Sequence, residues 1–133
     1  MIATNSRETV QSLYDAFSRG DVPAVLGNLD PEVEWIEAEG GPYPGTSRGP
    51  EAVLQNVFMK LGTEWDRFTV TPHQLVDDGE TVVMLGEYSG TYKATGKSIR
   101  IPVAHAWTVR GGKITRFVQY TDTMLFQRAL AHS

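Results

Sequence analysis

Apolar positions recur along this chain with two different periods, and the change between them divides it. Val10, Leu13, Tyr14 and Phe17 fall at i, i+3, i+4 and i+7, a spacing that gathers side chains onto one stripe of a helix. Asn5 and Glu8 stand in capping-box spacing at its start, and Gly20 stands where a helix stops. Asp21 reads as the N-cap of a second helix, with Pro23 in its first turn and Val25, Leu26 and Leu29 as its stripe, running to the pair Asp30 and Pro31. The alternating run 32–37 puts Val33, Trp35 and Glu37 on one face of a short strand. The Gly- and Pro-rich stretch 38–49 reads as a loop. Pro50 then opens a third helix with Leu54, Val57, Phe58 and Leu61 on its stripe and Gly62 at its end.

From Phe68 onward the period is two. Turn signals at 77–80, 93–97 and 110–113 predict four strands in a meander, and Met124, Leu125, Ala129 and Leu130 predict a short final helix capped by Thr121 or Asp122. Helices first and antiparallel strands afterwards imply an α+β domain, a cone in which a strongly curved, mostly antiparallel sheet wraps around the N-terminal helices. Trp35, Trp107 and Tyr120 are expected on its concave face together with polar groups, which leaves a cavity at the open end. In the second strand of the meander Val82 and Met84 alternate with Val83 and Leu85, so both faces are apolar, and a second copy in a homodimer is expected to cover the outer one.

Composition narrows the function classes. The 133 residues fit one domain, 1–133, and 41% hydrophobic against 21% charged residues is enough to build a core without disulfides or metal. The net charge is −4 and the basic residues are scattered, which argues against a nucleic-acid partner. Without cysteine there is no disulfide, thiolate metal site or Cys nucleophile. The first ten residues lack the pattern of a secretory signal and no run reaches membrane-spanning length, so a cytoplasmic protein without a membrane partner is expected. His73, His105 and His132 show no metal-ligand spacing, and neither a metal nor another cofactor is expected.

The order of these elements, with the stretches LYDAFSRGD (13–21), VEW (33–35), PYPGTSRGPEAV (42–53) and AHAWTVRGGKITRFVQYTDT (104–123), resembles the SnoaL-like and ketosteroid-isomerase-like superfamily, also called nuclear transport factor 2-like. The resemblance implies a conical, cystatin-like α+β fold, usually dimeric, with a buried pocket that serves isomerases, cyclases, epoxide hydrolases, dehydratases and plain binders alike. Such a fold does not choose a chemistry. The steroid isomerases' helix-1 tyrosine, first-strand aspartate and central-strand aspartic acid align with Leu13, Trp35 and His105, and the paired Arg and Asp of limonene-type epoxide hydrolases with Val103 and His105. Neither reaction is expected here. The acid-base aspartate of SnoaL-type cyclases is a role Asp122 could take.

The candidate catalytic residues are therefore His105, Asp122 and Glu37, and the candidate walls are Tyr14, Trp35, Phe58, Trp107 and Tyr120. Each has an alternative reading. His105 shares a strand face with Ile101, Val103, Trp107 and Val109, which suits core packing as well as a pocket group. Asp122 suits a helix cap. Glu37 stands at a strand end, where a solvated carboxylate is ordinary. A two-residue turn at Gly111 and Gly112 would pair 105 with 118 and 101 with 122, leaving His105 and Asp122 on one face but roughly 13 Å apart. Ser47, in a G-x-S-x-G pattern, follows a loop rather than a buried strand and is not read as a nucleophile. Two functions fit: a cofactor-independent acid-base enzyme of isomerase, cyclase or lyase type acting on an apolar small molecule, or a non-catalytic ligand-binding or dimerisation module.

Overall fold

In the computed structural model, which describes residues 5–132, the first helix begins as its sequence requires. Asn5 Oδ1 accepts the Glu8 backbone N–H at 2.8 Å, while Glu8 Oε1 accepts from the Asn5 side-chain Nδ2 at 3.1 Å. Helix α1, Ser6–Ser18, buries Val10, Leu13 and Tyr14, and Gly20 follows it with φ 71°. Asp21 caps α2, Val22–Gly27, through the Ala24 N–H at 3.1 Å.

Leu29 is not on the stripe of α2. It opens β1, Leu29–Glu37, because the Ile114 N–H donates to the Asn28 carbonyl at 2.9 Å and draws the chain into the sheet two residues before Pro31. The proline falls where the ladder is irregular, between Leu29 and Glu34, so its missing N–H breaks no bond. The expected loop also hides a strand: β2, Gly45–Arg48, pairs antiparallel with β1 as a four-residue edge. The third helical segment runs without a gap through α3 (Pro50–Val53), a π turn (Leu54–Phe58) and α4 (Met59–Glu64), two residues past Gly62.

The meander comprises β3 (Trp65–Asp77), β4 (Thr81–Tyr92), β5 (Lys97–Arg110) and β6 (Lys113–Thr121), followed by α5 (Thr123–Leu130). The sheet order is β2-β1-β6-β5-β4-β3, with only β1 and β6 parallel. The sheet is curved and unclosed, the conical α+β arrangement expected. Two breaks in the β3–β4 register bend it. The break between Asp66 and Thr69 faces Gly90 (φ 151°), and that between Pro72 and Gln74 faces Gly86, where a Cβ would stand 2.3 Å from the Thr71 carbonyl oxygen. A β-bulge adds local twist, and glycine admits the close approach that results.

A third break decides the site. Arg110 pairs with Lys113 and Val109 with Ile114, but Thr108 pairs with Arg116, so Thr115 is an extra residue. Every later partner is shifted by one: His105 faces Gln119 rather than 118. Because a one-residue slip exchanges the faces of a strand, Gln119 turns inward and Tyr120 outward. Tyr120 is 60% exposed, which corrects its placement as a pocket wall.

Candidate functional site

The concave face of the sheet, α1, the π turn and α5 enclose a chamber of about 50 Å³ measured as space open to the centre of a water molecule. One water needs about 10–15 Å³ on that measure, so the chamber is small but real. Trp35, Phe58 and Trp107 line it as expected, with Phe68, Phe117 and Phe126 completing an aromatic wall.

His105 sits in this chamber, 4% exposed, held from both sides by phenols. Tyr14 Oη lies 2.6 Å from Nδ1 and Tyr88 Oη 2.6 Å from Nε2. Burial pushes the imidazole down to about 3, so it is neutral at ordinary pH. The outer ends of the chain have fixed polarity. Trp107 Nε1 can only donate, and does so to Tyr14 Oη at 2.9 Å. Gln119 Oε1 accepts the Ala38 backbone N–H at 2.9 Å, which forces its amide nitrogen toward Tyr88 Oη, also at 2.9 Å. Between these ends lie two phenolic protons and one imidazole proton, and the two Tyr–His bonds consume two of the three. One phenolic proton is left over, on Tyr14 or on Tyr88 according to the tautomer of His105. Burial raises both phenols well above their usual range, so they stay protonated.

Glu37 is the second polar group of the chamber. Its position at the end of β1 left a solvated and a pocket carboxylate both open; it is 7% exposed and lines the chamber together with Pro42 and Tyr43 of the 38–44 loop. That loop is pinned to α5: the Gln127 amide donates to the Gly40 carbonyl at 2.7 Å, and a Cβ on Gly40 would lie 2.8 Å from Thr123 Oγ1. Burial raises Glu37 to about 7, against the opposing effect of hydrogen bonds from Trp35 Nε1, at 2.9 Å, and from Gln119. Gln119 thus joins the carboxyl to the phenol–imidazole chain.

Asp122 lies apart from this group. It is exposed beyond the paired end of β6, does not line the chamber, and accepts the Leu125 N–H at 3.3 Å as the N-cap of α5. Of its two readings the helix cap is the one the structure shows, the chamber wall is not, and the shifted register removes its expected pairing with 101. Ser47 Oγ accepts from Asn56 Nδ2 at 3.0 Å, away from the chamber. Tyr88 and Gln119 complete the site although neither was a candidate. Tyr88 was legible, since Val82, Met84 and Tyr88 share one parity along β4. Gln119 was not, because the extra residue Thr115 has no turn signal of its own. Among the described residues no three His, Asp or Glu side chains are grouped to hold a metal ion, and no helix is long and apolar enough to cross a membrane.

A conical sheet over an aromatic chamber that holds a buried carboxyl and a buried imidazole is the arrangement against which the comparisons stand. The SnoaL-like domain profile matches residues 10–117, most of the chain, and the protein belongs to that family. An NTF2-like protein from Burkholderia thailandensis E264 is similar at 42% identity and a TM-score of 0.94, over 96% of this chain and 98% of that one. TerC, co-crystallised with polyporic acid, is similar at 25% identity and a TM-score of 0.84, over 93% and 96% of the two chains. A protein of ketosteroid-isomerase-like fold from Catenulispora acidiphila, in complex with trimethylamine, shares the fold at 17% identity and a TM-score of 0.81, over 95% and 93%. No protein of curated function matches the chain.

Proposed function

We propose that the protein binds an apolar, cyclic small molecule in the buried chamber and moves a proton on it by cofactor-independent acid-base chemistry of isomerase, cyclase or lyase type. The observation that carries this reading is the shared chamber of Glu37, poised near neutrality, and the Tyr14–His105–Tyr88 chain with its one spare proton. A carboxyl held near the working pH serves equally as base and as acid. Glu37 carboxylate takes a proton from carbon next to a carbonyl, the C–H electron pair becomes the enolate double bond, and the spare phenolic O–H stabilises the charge on oxygen. Glu37, now protonated, returns its proton at the same or a conjugated carbon. His105 does not exchange protons with solvent in this scheme. Its tautomer decides which phenol donates.

Belonging to the SnoaL-like family supports a small-molecule ligand, as does the polyporic acid with which TerC, similar at 25% identity, was co-crystallised. The test is deuterium incorporation from D₂O into a panel of cyclic enones and 1,3-diketones, followed by NMR. Glu37→Gln should lose at least ~100-fold in rate on any compound the wild type exchanges. Equal rates in the two proteins, or no exchange with any compound, would defeat the enzymatic reading. The alternative, a non-catalytic binding module, is favoured by one fact: every buried side-chain nitrogen and oxygen among the described residues already has a partner. Homodimerisation belongs to either reading. Ile36, Val118, Ala106, Val83 and Val76 form one cross-strand row over five strands of the outer face, beside Leu85 and Tyr120. A second copy is the natural cover for it.

A further inference from the structure

A ligand much larger than a single ring overfills a chamber with about 50 Å³ open to the centre of a water molecule, so its remainder must lie elsewhere. A second cavity, about 280 Å³ on the same measure, opens beside the first, between α2, α4 and the start of β3. The two share four lining residues, Phe17, Phe58, Leu61 and Phe68. All four are only partly buried, unlike the fully packed aromatics of the core, and the Phe17 and Phe58 rings stand 6.0 Å apart and tilted. Phe58 closes the π turn, a helical irregularity found frequently at functional sites.

The rim of the outer cavity carries a strained cation. Arg67 has φ 53°, a left-handed conformation that is unfavourable for a residue with a Cβ, and it lies in the bulge between Asp66 and Thr69. Bulges re-aim side chains, and here the bulge sets Arg67 among the residues lining the cavity. Its guanidinium has no hydrogen bond or ion pair with another described residue. The other charge at the rim, Asp21, is engaged: it caps α2 and faces Arg19 at 3.6 Å.

We propose that the outer cavity is the vestibule of the buried chamber, that Phe17, Phe58, Leu61 and Phe68 are the gate between them, and that Arg67 selects ligands bearing an anionic group at the end opposite the ring. This rests on the chamber being the ligand site, but not on any reaction occurring there. The ligand class is then an elongated amphiphile: an apolar ring system passing the gate, and a carboxylate or similar anion left at the mouth. The backbone strain at Arg67 is the feature a purely structural bulge would not keep, since glycine would fill the position at no steric cost.

The test uses two fluorophores that share a ring system and differ by a sulfonate: anionic 8-anilinonaphthalene-1-sulfonate and neutral N-phenyl-1-naphthylamine. Wild type should bind both at one site, the anion about tenfold more tightly, as one charge-assisted contact implies. Arg67→Gln should abolish that preference and leave the affinity for the neutral probe unchanged. In stopped flow, Phe58→Ala and Leu61→Ala should each speed association of the neutral probe. An anion preference that survives in Arg67→Gln, or association rates unmoved by both gate variants, would overturn the proposal while leaving the chamber as the ligand site. Failure of the wild type to bind the neutral probe would instead overturn the chamber reading and this inference with it. Neither result depends on the deuterium exchange that tests the acid-base reading.

Discussion

Replacing Glu37 with Gln should expose an opposition between two buried groups in the pH dependence of stability. Glu37 titrates at about 7 in the fold against an ordinary 4.5, so the folded protein holds a proton that the unfolded chain has lost between those values. Its stabilising contribution is full below pH 4.5 and is lost as pH rises through 7. His105 titrates at about 3 against an ordinary 6.5, so its contribution is full above pH 6.5 and is lost as pH falls toward 3. Each uncompensated proton changes stability by about 1.4 kcal/mol per pH unit. Between pH 4.5 and 6.5 the two slopes have opposite sign and cancel, so this pair leaves the wild type flat there. Glu37→Gln keeps only the histidine slope and should lose about 3 kcal/mol on acidification from pH 6.5 to 4.5. Relative to wild type it should also gain about 3 kcal/mol between pH 4.5 and 8, whatever constant cost the substitution carries. Urea unfolding at half-unit pH steps measures both. Parallel profiles for the two proteins would refute the claim that the Glu37 carboxyl is held in its protonated form by burial.

Three further outcomes follow from the fold. Asp122→Ala should cost about 1 kcal/mol in urea unfolding through loss of the cap on α5, with little change in the affinity for the neutral naphthylamine, since Asp122 does not line the chamber. Gly86→Ala should cost roughly 3 kcal/mol or prevent soluble expression, because its Cβ would meet the Thr71 carbonyl oxygen at 2.3 Å and backbone, unlike a side-chain tip, cannot swing away. Leu85→Glu on the outer face should convert a dimer at micromolar concentration to a monomer in sedimentation velocity; a wild type that is already monomeric would dispose of the homodimer.

The sequence by itself determined the helices and most of the sheet, because caps, glycine stops and periods of 3.6 and 2 are local signals that local chemistry enforces. Asn5, Asp21 and Asp122 cap as their neighbours require, and Val33, Trp35 and Glu37 face inward by parity alone. The candidates His105, Trp35, Trp107 and Phe58 were legible for the same reason, as apolar-face positions of regular elements. Tertiary structure decided the rest. β2 exists only because β1 offers it an edge to pair with, and α2 gives up Leu29 because β6 claims the backbone beside it. One extra residue, Thr115, exchanges Tyr120 for Gln119 in the chamber, and no composition or turn rule marks it, since a bulge is the response of a ladder to strain across strands. Glu37 faces inward by parity, but whether a carboxyl at a strand end is solvated or buried was decided by a loop clamped to α5 more than eighty residues later in the chain. The raised pKa of Glu37 follows from that burial, and burial of a strand-end side chain is a property of the assembled molecule rather than of any segment of it.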